Sequence, residues 1–210
     1  MLLNIELDEP ENYTTALTLP DSKLWMQAVQ EEYDSLIHNN TWTVTTLPSN
    51  RTPIKSKWIL KIKPGVNGAE PRYKARLVAK GYSQRFGKDF DQTFAPVAKQ
   101  DTLRIVLSFV AAYDLKMCQL DIKTAFLYGE LSEEIYLEQL EGFITAGQEK
   151  LVSRLHKCLY GLKQASRVWK QHFDSFLRNF GPTPSDYDPC LYYRHRKGEI
   201  TMVIIWTTMI

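Results

Sequence analysis

Apolar residues recur at helical spacing over residues 21–39, where Trp25, Ala28, Val29, Tyr33, Leu36 and Ile37 share one side. Asp21 or Ser22 supplies a cap and Asn39-Asn40 breaks the run, so an amphipathic helix is predicted there, followed by an extended stretch at 41–47. The period then changes to two. In 57–63, Trp58, Leu60 and Ile62 alternate with Lys57, Ile59, Lys61 and Lys63. In 72–80, Tyr73, Ala75, Leu77 and Ala79 alternate with Arg72, Lys74, Arg76, Val78 and Lys80. Pro64-Gly65-Val66-Asn67-Gly68 lies between them as a turn, so the pattern predicts a hairpin with one apolar and one cationic face.

Helical spacing returns at 101–116, with Leu103, Val106, Leu107, Val110 and Ala111 inward. A strand through Leu120 is predicted next, and 135–138 reads as a short extended piece. A longer helix at 162–180 would bury Ala165, Trp169, Phe173, Phe176, Leu177 and Phe180 before Gly181-Pro182 stops it. Two strands, 191–193 and 199–206, flank the turn His195-Arg196-Lys197-Gly198. Helices alternating with hairpins give an α+β fold in which antiparallel sheet packs on helices.

Charge sharpens this picture. The net charge of +2 conceals a balance of −7 over residues 1–50, +10 over 51–88 and −1 over 89–210. Seven cations fall on one hairpin face with no acid among them, and self-repulsion there needs a counter-charge from elsewhere. A block this basic points to a polyanionic partner, either phosphate or nucleic acid. Hydrophobic residues make up 44% of the chain, which favours a packed core over disorder. Cys118, Cys158 and Cys190 are odd in number and widely spaced, so a reducing, intracellular setting is expected rather than a disulfide framework. The acidic first residues do not read as a signal peptide, and the apolar stretch 202–210 is too short to span a membrane, so no membrane partner is expected.

Several chemistries are excluded by spacing. No GxxxxGK[ST] loop is present. His38, His156, His172 and His195 lack zinc spacing, and no Ser-His-Asp set can be assigned. One candidate remains. Asp121 ends the apolar run Met117-Cys118-Gln119-Leu120 and is followed by Ile122-Lys123-Thr124-Ala125-Phe126. A carboxylate at a strand end suits a divalent-metal site, although most such aspartates are caps or turn residues. Two-metal nucleotidyl transfer needs further carboxylates to hold ions about 4 Å apart.

The order of these features carries a resemblance. Trp25-Met26-Gln27-Ala28, Asn40-Thr41-Trp42, Lys57-Trp58 and Arg72-Tyr73-Lys74-Ala75-Arg76-Leu77-Val78-Ala79-Lys80-Gly81 are followed by Thr93-Phe94-Ala95-Pro96-Val97. The Asp121 segment, Glu141-Gly142-Phe143 and Leu159-Tyr160-Gly161-Leu162-Lys163-Gln164-Ala165 complete the series. Together they resemble the reverse transcriptase of Ty1/copia-type retrotransposons, an RNA-directed DNA polymerase carried in a Pol polyprotein. The resemblance implies an acidic helical segment at 1–50, a fingers-like region at 51–116 with the basic hairpin, and a partial palm at 117–210. It implies two Mg²⁺ ions, with Asp121 as catalytic metal ligand and the Ile122 carbonyl assisting. Lys61, Lys63, Lys74 and Arg76 would meet triphosphate and template backbone. Phe126 would lie under the sugar as steric gate, and Lys163 and Gln164 would contact nucleotide and template. The implied partners are an RNA/DNA template-primer, a deoxynucleoside triphosphate and the integrase and RNase H of the polyprotein.

The chain departs from the pattern at its end. The family's Tyr-x-Asp-Asp motif follows an apolar strand, whereas here Thr201-Met202-Val203-Ile204-Ile205 runs into Trp206-Thr207-Thr208-Met209-Ile210, with no carboxylate after Glu199. The codons GTG GAC GAC, read one base later, encode Trp-Thr-Thr, so a local frame slip is hypothesised; the genomic codons for 204–210 test it. The expectation is a truncated, inactive segment. The alternatives are a non-catalytic nucleic-acid-binding remnant, with Tyr73, Tyr82 or Phe86 as stacking groups, or a pseudogene product.

Overall fold

The computed structural model describes residues 9–65 and 69–206. Within them four helices alternate with three small antiparallel sheets: α1 Tyr13–Thr18, α2 Ser22–His38, β1 Trp42–Thr45, β2 Ser56–Lys63, β3 Arg72–Ala79, α3 Gln100–Ala112, β4 Tyr136–Glu138, β5 Val152–Leu155, α4 Ala165–Asn179, β6 Thr183–Pro184, β7 Leu191–Arg196 and β8 Glu199–Ile204. The sheets order as β1-β5-β4, β2-β3 and β6-β7-β8. The expected α+β mixture is present; β5, α1 and β6 had no sequence signal strong enough to be read.

Helix α2 forms where the period predicts it. Trp25, Ala28, Val29 and Leu36 are buried, and Asn39 closes the last turn by donating its side-chain amide to the Ser35 carbonyl at 2.7 Å. Ile37, expected inward, is exposed, because its angle on the helix lies past the edge of the buried stripe. The hairpin pairs in the register that sets the cationic-face positions opposite one another: Lys57 opposite Val78, Ile59 opposite Arg76, Lys61 opposite Lys74 and Lys63 opposite Arg72. Its other face, with Trp58, Leu60, Ala75, Leu77 and Ala79, is buried in the main core with α2. The turn residues Val66, Asn67 and Gly68 lie outside the described residues.

Beyond residue 100 several expectations need correction. Helix α3 ends at Ala112 rather than at 116, where Asp114 takes a left-handed φ of 49°. Of its predicted inner side only Val106 is buried, and Leu107 is exposed. The strand predicted through Leu120 is not formed. Residues 117–122 pair with no strand among the described residues, and Leu120 is 82% exposed. Apolar sequence supplies a strand's side chains but not the second backbone whose N–H and C=O groups a strand must meet. Helix α4 is formed, yet Phe176 and Phe180, expected inward, are largely exposed because nothing packs over that end of its apolar stripe. In the final hairpin Lys197 and Gly198 both have positive φ, which makes a tight two-residue loop and extends β7 to Arg196.

Candidate nucleic-acid interface

A groove runs from the cationic hairpin face to the last hairpin, lined near its start by Lys57, Lys61, Lys63 and Arg76 and farther along by Asp121, Ile122, Phe126 and Lys163. These positions lie far apart in sequence, and the loop at 159–164 brings them together. Its Tyr160 carbonyl accepts from the Ala79 amide at 2.8 Å, so the loop joins the end of β3. Gly161 adopts a φ of +87°, and a Cβ there would lie 2.1 Å from the Ala79 carbonyl oxygen. A Cβ on Gly81 would in turn lie 2.0 Å from the Gly161 oxygen. Both glycines are required by close backbone approach.

Tyr160 is the residue the sequence reading passed over. Arg76 sits over its ring at 5.0 Å, and Phe126 meets it edge-on at 4.8 Å. Its position within the loop motif was the available signal, but only the fold shows it touching the hairpin and the Phe126 turn together. Phe126 is half-buried, packs against both hydrophobic clusters and still lines the groove. It lies in a 3₁₀ turn, Ala125–Tyr128, entered through Thr124 at a left-handed φ of 53°, a strained value for a β-branched residue.

Lys163 and Gln164 part company. The Lys163 amide donates to Gln84 Oε1 at 2.8 Å, while its ammonium reaches the Gln84 carbonyl at 3.2 Å and lies 4.6 Å from the Phe90 ring centre. Gln164 is fully buried. Its Oε1 accepts from Gln84 Nε2 at 2.9 Å and its Nε2 donates to the Asp89 carbonyl at 3.0 Å. Its amide is therefore spent inside the protein, where it positions the loop, and the nucleotide contact expected of it is not available in this arrangement. Tyr73 is likewise turned inward, edge-on to Trp25 at 4.6 Å, whereas Tyr82 and Phe86 are exposed.

The counter-charge that the cationic face demands comes from outside the hairpin. Glu9 pairs with Lys61 and accepts from the Ile62 amide at 2.9 Å. The Lys61 hydrogen bond is the main reason its carboxyl is held below the usual carboxylate range. Burial pushes the Glu32 carboxyl up, with the Leu77 amide, Arg76 and Lys74 pulling it back. Burial, then repulsion from Arg76 and Arg72, lowers the Lys74 ammonium, while Glu32 and Asp121 oppose that shift. Asp121 thus lies close enough for its charge to act on Lys74 and on Tyr160.

Asp121 is itself exposed. The groove has two acids in its lining, Asp121 and Glu199, and Glu199 stands at the tip of the last hairpin opposite Arg196. Among the described residues no three His, Cys, Asp or Glu side chains gather as a metal site. The expected two-ion centre of Asp121 and the Ile122 carbonyl does not fit the donor set among the described residues, since a single carboxylate without further acids is too few ligands to hold two ions. Trp206 is described and partly exposed, whereas Thr207 and Thr208 lie outside the described residues. Among the described residues no helix is long and apolar enough to cross a membrane.

Comparison with known proteins places these features. A family model described as reverse transcriptase (RNA-dependent DNA polymerase) matches residues 39–208. The chain is similar to the retrovirus-related Pol polyprotein from transposon TNT 1-94 of Nicotiana tabacum, 46% identical over 197 residues that cover 94% of this chain and 15% of the polyprotein. It is also similar to the Pol polyprotein from transposon RE1 of Arabidopsis thaliana, 38% identical over 199 residues covering 94% of this chain and 14% of that one. An uncharacterized mitochondrial protein of Arabidopsis thaliana is 41% identical over 100 residues, covering 48% of this chain and 57% of that protein. The chain thus spans about one seventh of the length of the first two relatives. No solved structure matches it.

Proposed function

The chain belongs to the reverse transcriptase (RNA-dependent DNA polymerase) family, and from that premise we propose that it is a nucleic-acid-binding segment of a copia-type Pol polyprotein that does not polymerise by itself. The observation that carries this reading is the groove whose one end is cationic, with Lys57, Lys61, Lys63 and Arg76, and whose acids among the described residues are Asp121 and Glu199. Cations spaced along a strand suit a phosphate backbone, and each neutralised phosphate releases counterions, so binding should weaken with salt.

In this reading residues 51–116 act as fingers and 117–210 as part of a palm, with 1–50 as an acidic flank. Lys61, Lys63, Lys74 and Arg76 meet backbone or triphosphate, and Lys163 adds a cation at the loop. Phe126 presents its ring to the sugar of an incoming deoxynucleotide; its place in the groove and its support by Tyr160 favour that role. RNA-directed DNA synthesis belongs to the larger polyprotein. Magnesium-dependent chemistry needs acids that the described residues do not assemble.

Two measurements test the proposal. Binding of a single-stranded oligonucleotide should show a linear fall of log K with log salt, and Lys63→Ala should reduce the slope by about 1. A primer-extension assay with Mg²⁺ or Mn²⁺ should show no incorporation; deoxynucleotide incorporation abolished by Asp121→Asn would overturn the non-catalytic reading.

A further inference from the structure

We propose that the acidic segment ahead of the hairpin regulates the same cationic face, with Glu9 acting as a tethered competitor for the polyanion. The inference rests on the reading of that face as a backbone-binding surface. Among the described residues sheet β2-β3 has two strands, and no other strand of that set covers the outer edge of β2. Glu9 lies there with both carboxylate oxygens engaged: Oε1 accepts from the Ile62 amide at 2.9 Å, and Oε2 meets the Lys61 ammonium. Among the described residues Lys61 is the one ion-paired cation of the four from the hairpin that line the groove.

Glu9 is held in place rather than free to wander. Its neighbour Pro10 is buried, and Asn12 caps α1 by accepting from the Thr15 amide at 2.8 Å. Helix α1 is in turn fixed by Ala16, which is fully buried in the main core. A carboxylate and a phosphate oxygen are the same kind of ligand to an ammonium, acceptors carrying negative charge. A backbone crossing the hairpin must therefore displace Glu9 or forgo Lys61. The wider charge distribution favours the same device, since residues 1–50 carry a net −7 beside the +10 of residues 51–88. The pair is partly exposed, so the competition is a tuning effect rather than a lock.

Glu9→Gln is a clean probe. The glutamine keeps a carbonyl oxygen for the Ile62 amide and loses only the charge. Glu11→Gln removes the same charge from the same segment at a residue with no ion pair among those described. Binding of a single-stranded DNA oligonucleotide at fixed salt is measured by fluorescence anisotropy for each, in the wild-type and in the Lys61→Ala background. Glu9→Gln should bind about threefold tighter, the scale of one exposed ion pair, and Glu11→Gln should stay near wild type. The Glu9→Gln gain should vanish when Lys61 is alanine. Equal gains for Glu9→Gln and Glu11→Gln, or a gain that survives Lys61→Ala, would overturn competition while leaving the binding reading intact. No binding by any variant would overturn both. Should Glu9→Gln fail to fold by circular dichroism, Lys61→Gln replaces it, and competition then requires a loss of affinity smaller than that of Lys63→Gln, because Lys61 starts partly neutralised.

Discussion

The two halves of the molecule solve the same problem unequally. Among the described residues, twenty buried ones form one continuous cluster around α2, the basic hairpin and sheet β1-β5-β4. Around α4 and the last hairpin the cluster has six. In the first the main apolar faces of α2 and the hairpin meet one another, although Leu24, Ile37 and Val44 stay exposed at its rim. In the second, Leu120, Met117, Phe109 and Phe180 stay at the surface. Burial, not apolar character, is what stabilises: a fully buried leucine contributes about 1.5–3 kcal/mol and an exposed one close to nothing. The functional groups of the groove stand on the well-packed side, except Asp121, which hangs on the poorly packed one.

The largest expected effect tests that contrast directly. Leu137→Ala, at a residue with no exposure, should cost about 2–5 kcal/mol in urea unfolding. Leu120→Ala, at a residue 82% exposed, should change stability by less than about 0.5 kcal/mol. Comparable losses from the two would mean that residues 117–122 are packed in solution, and the contrast would break.

A smaller effect compares two glycines with left-handed φ. Gly161→Ala combines a φ of +87° with a Cβ 2.1 Å from the Ala79 oxygen, so it should cost about 2 kcal/mol or more and loosen the loop that carries Lys163. Gly198→Ala, at φ +81° with nothing within 4 Å, should cost only about 1 kcal/mol of backbone strain. Equal melting temperatures for the two would deny the close loop-to-hairpin approach.

The smallest sharpens the account of what tethers the open half. Asp188 accepts from the amides of Lys99 at 3.0 Å and Cys190 at 2.9 Å, and so ties the start of α3 to the last hairpin. Burial alone would raise its carboxyl, but the Thr102 hydroxyl and those two amides outweigh it and hold the group below the ordinary 3.8. A depressed carboxyl stabilises the fold above its unfolded value and loses that contribution as pH falls through the folded one. Asp188→Asn should therefore cost about 1 kcal/mol at pH 7, with the difference from wild type shrinking below about pH 4. A difference that is constant with pH would remove the carboxylate from this role.

Much of this was legible beforehand. Period two with alternating cations predicted the face shared by Lys61, Lys63, Lys74 and Arg76, because strand geometry alone decides which side a residue takes. The motif through Asp121 and the loop through Gln164 pointed to the family that the comparison then showed. The strand at Leu120 was misread because pairing needs a partner that a local run does not specify. The burial of Gln164 was not legible, because a polar side chain at a helix start looks solvated until its buried partners, Gln84 and the Asp89 carbonyl, are in view.

By itself, then, the sequence determined helix α2, the cationic hairpin face and the family, all of which depend on neighbours a few positions apart or on composition. Only the tertiary structure decided that Glu9 neutralises Lys61, that Tyr160 joins Arg76 to Phe126, and that the exposed Asp121 lines the same groove as the hairpin cations. Those facts join residues tens of positions apart, and such contacts follow from how whole faces find one another, which no local pattern encodes.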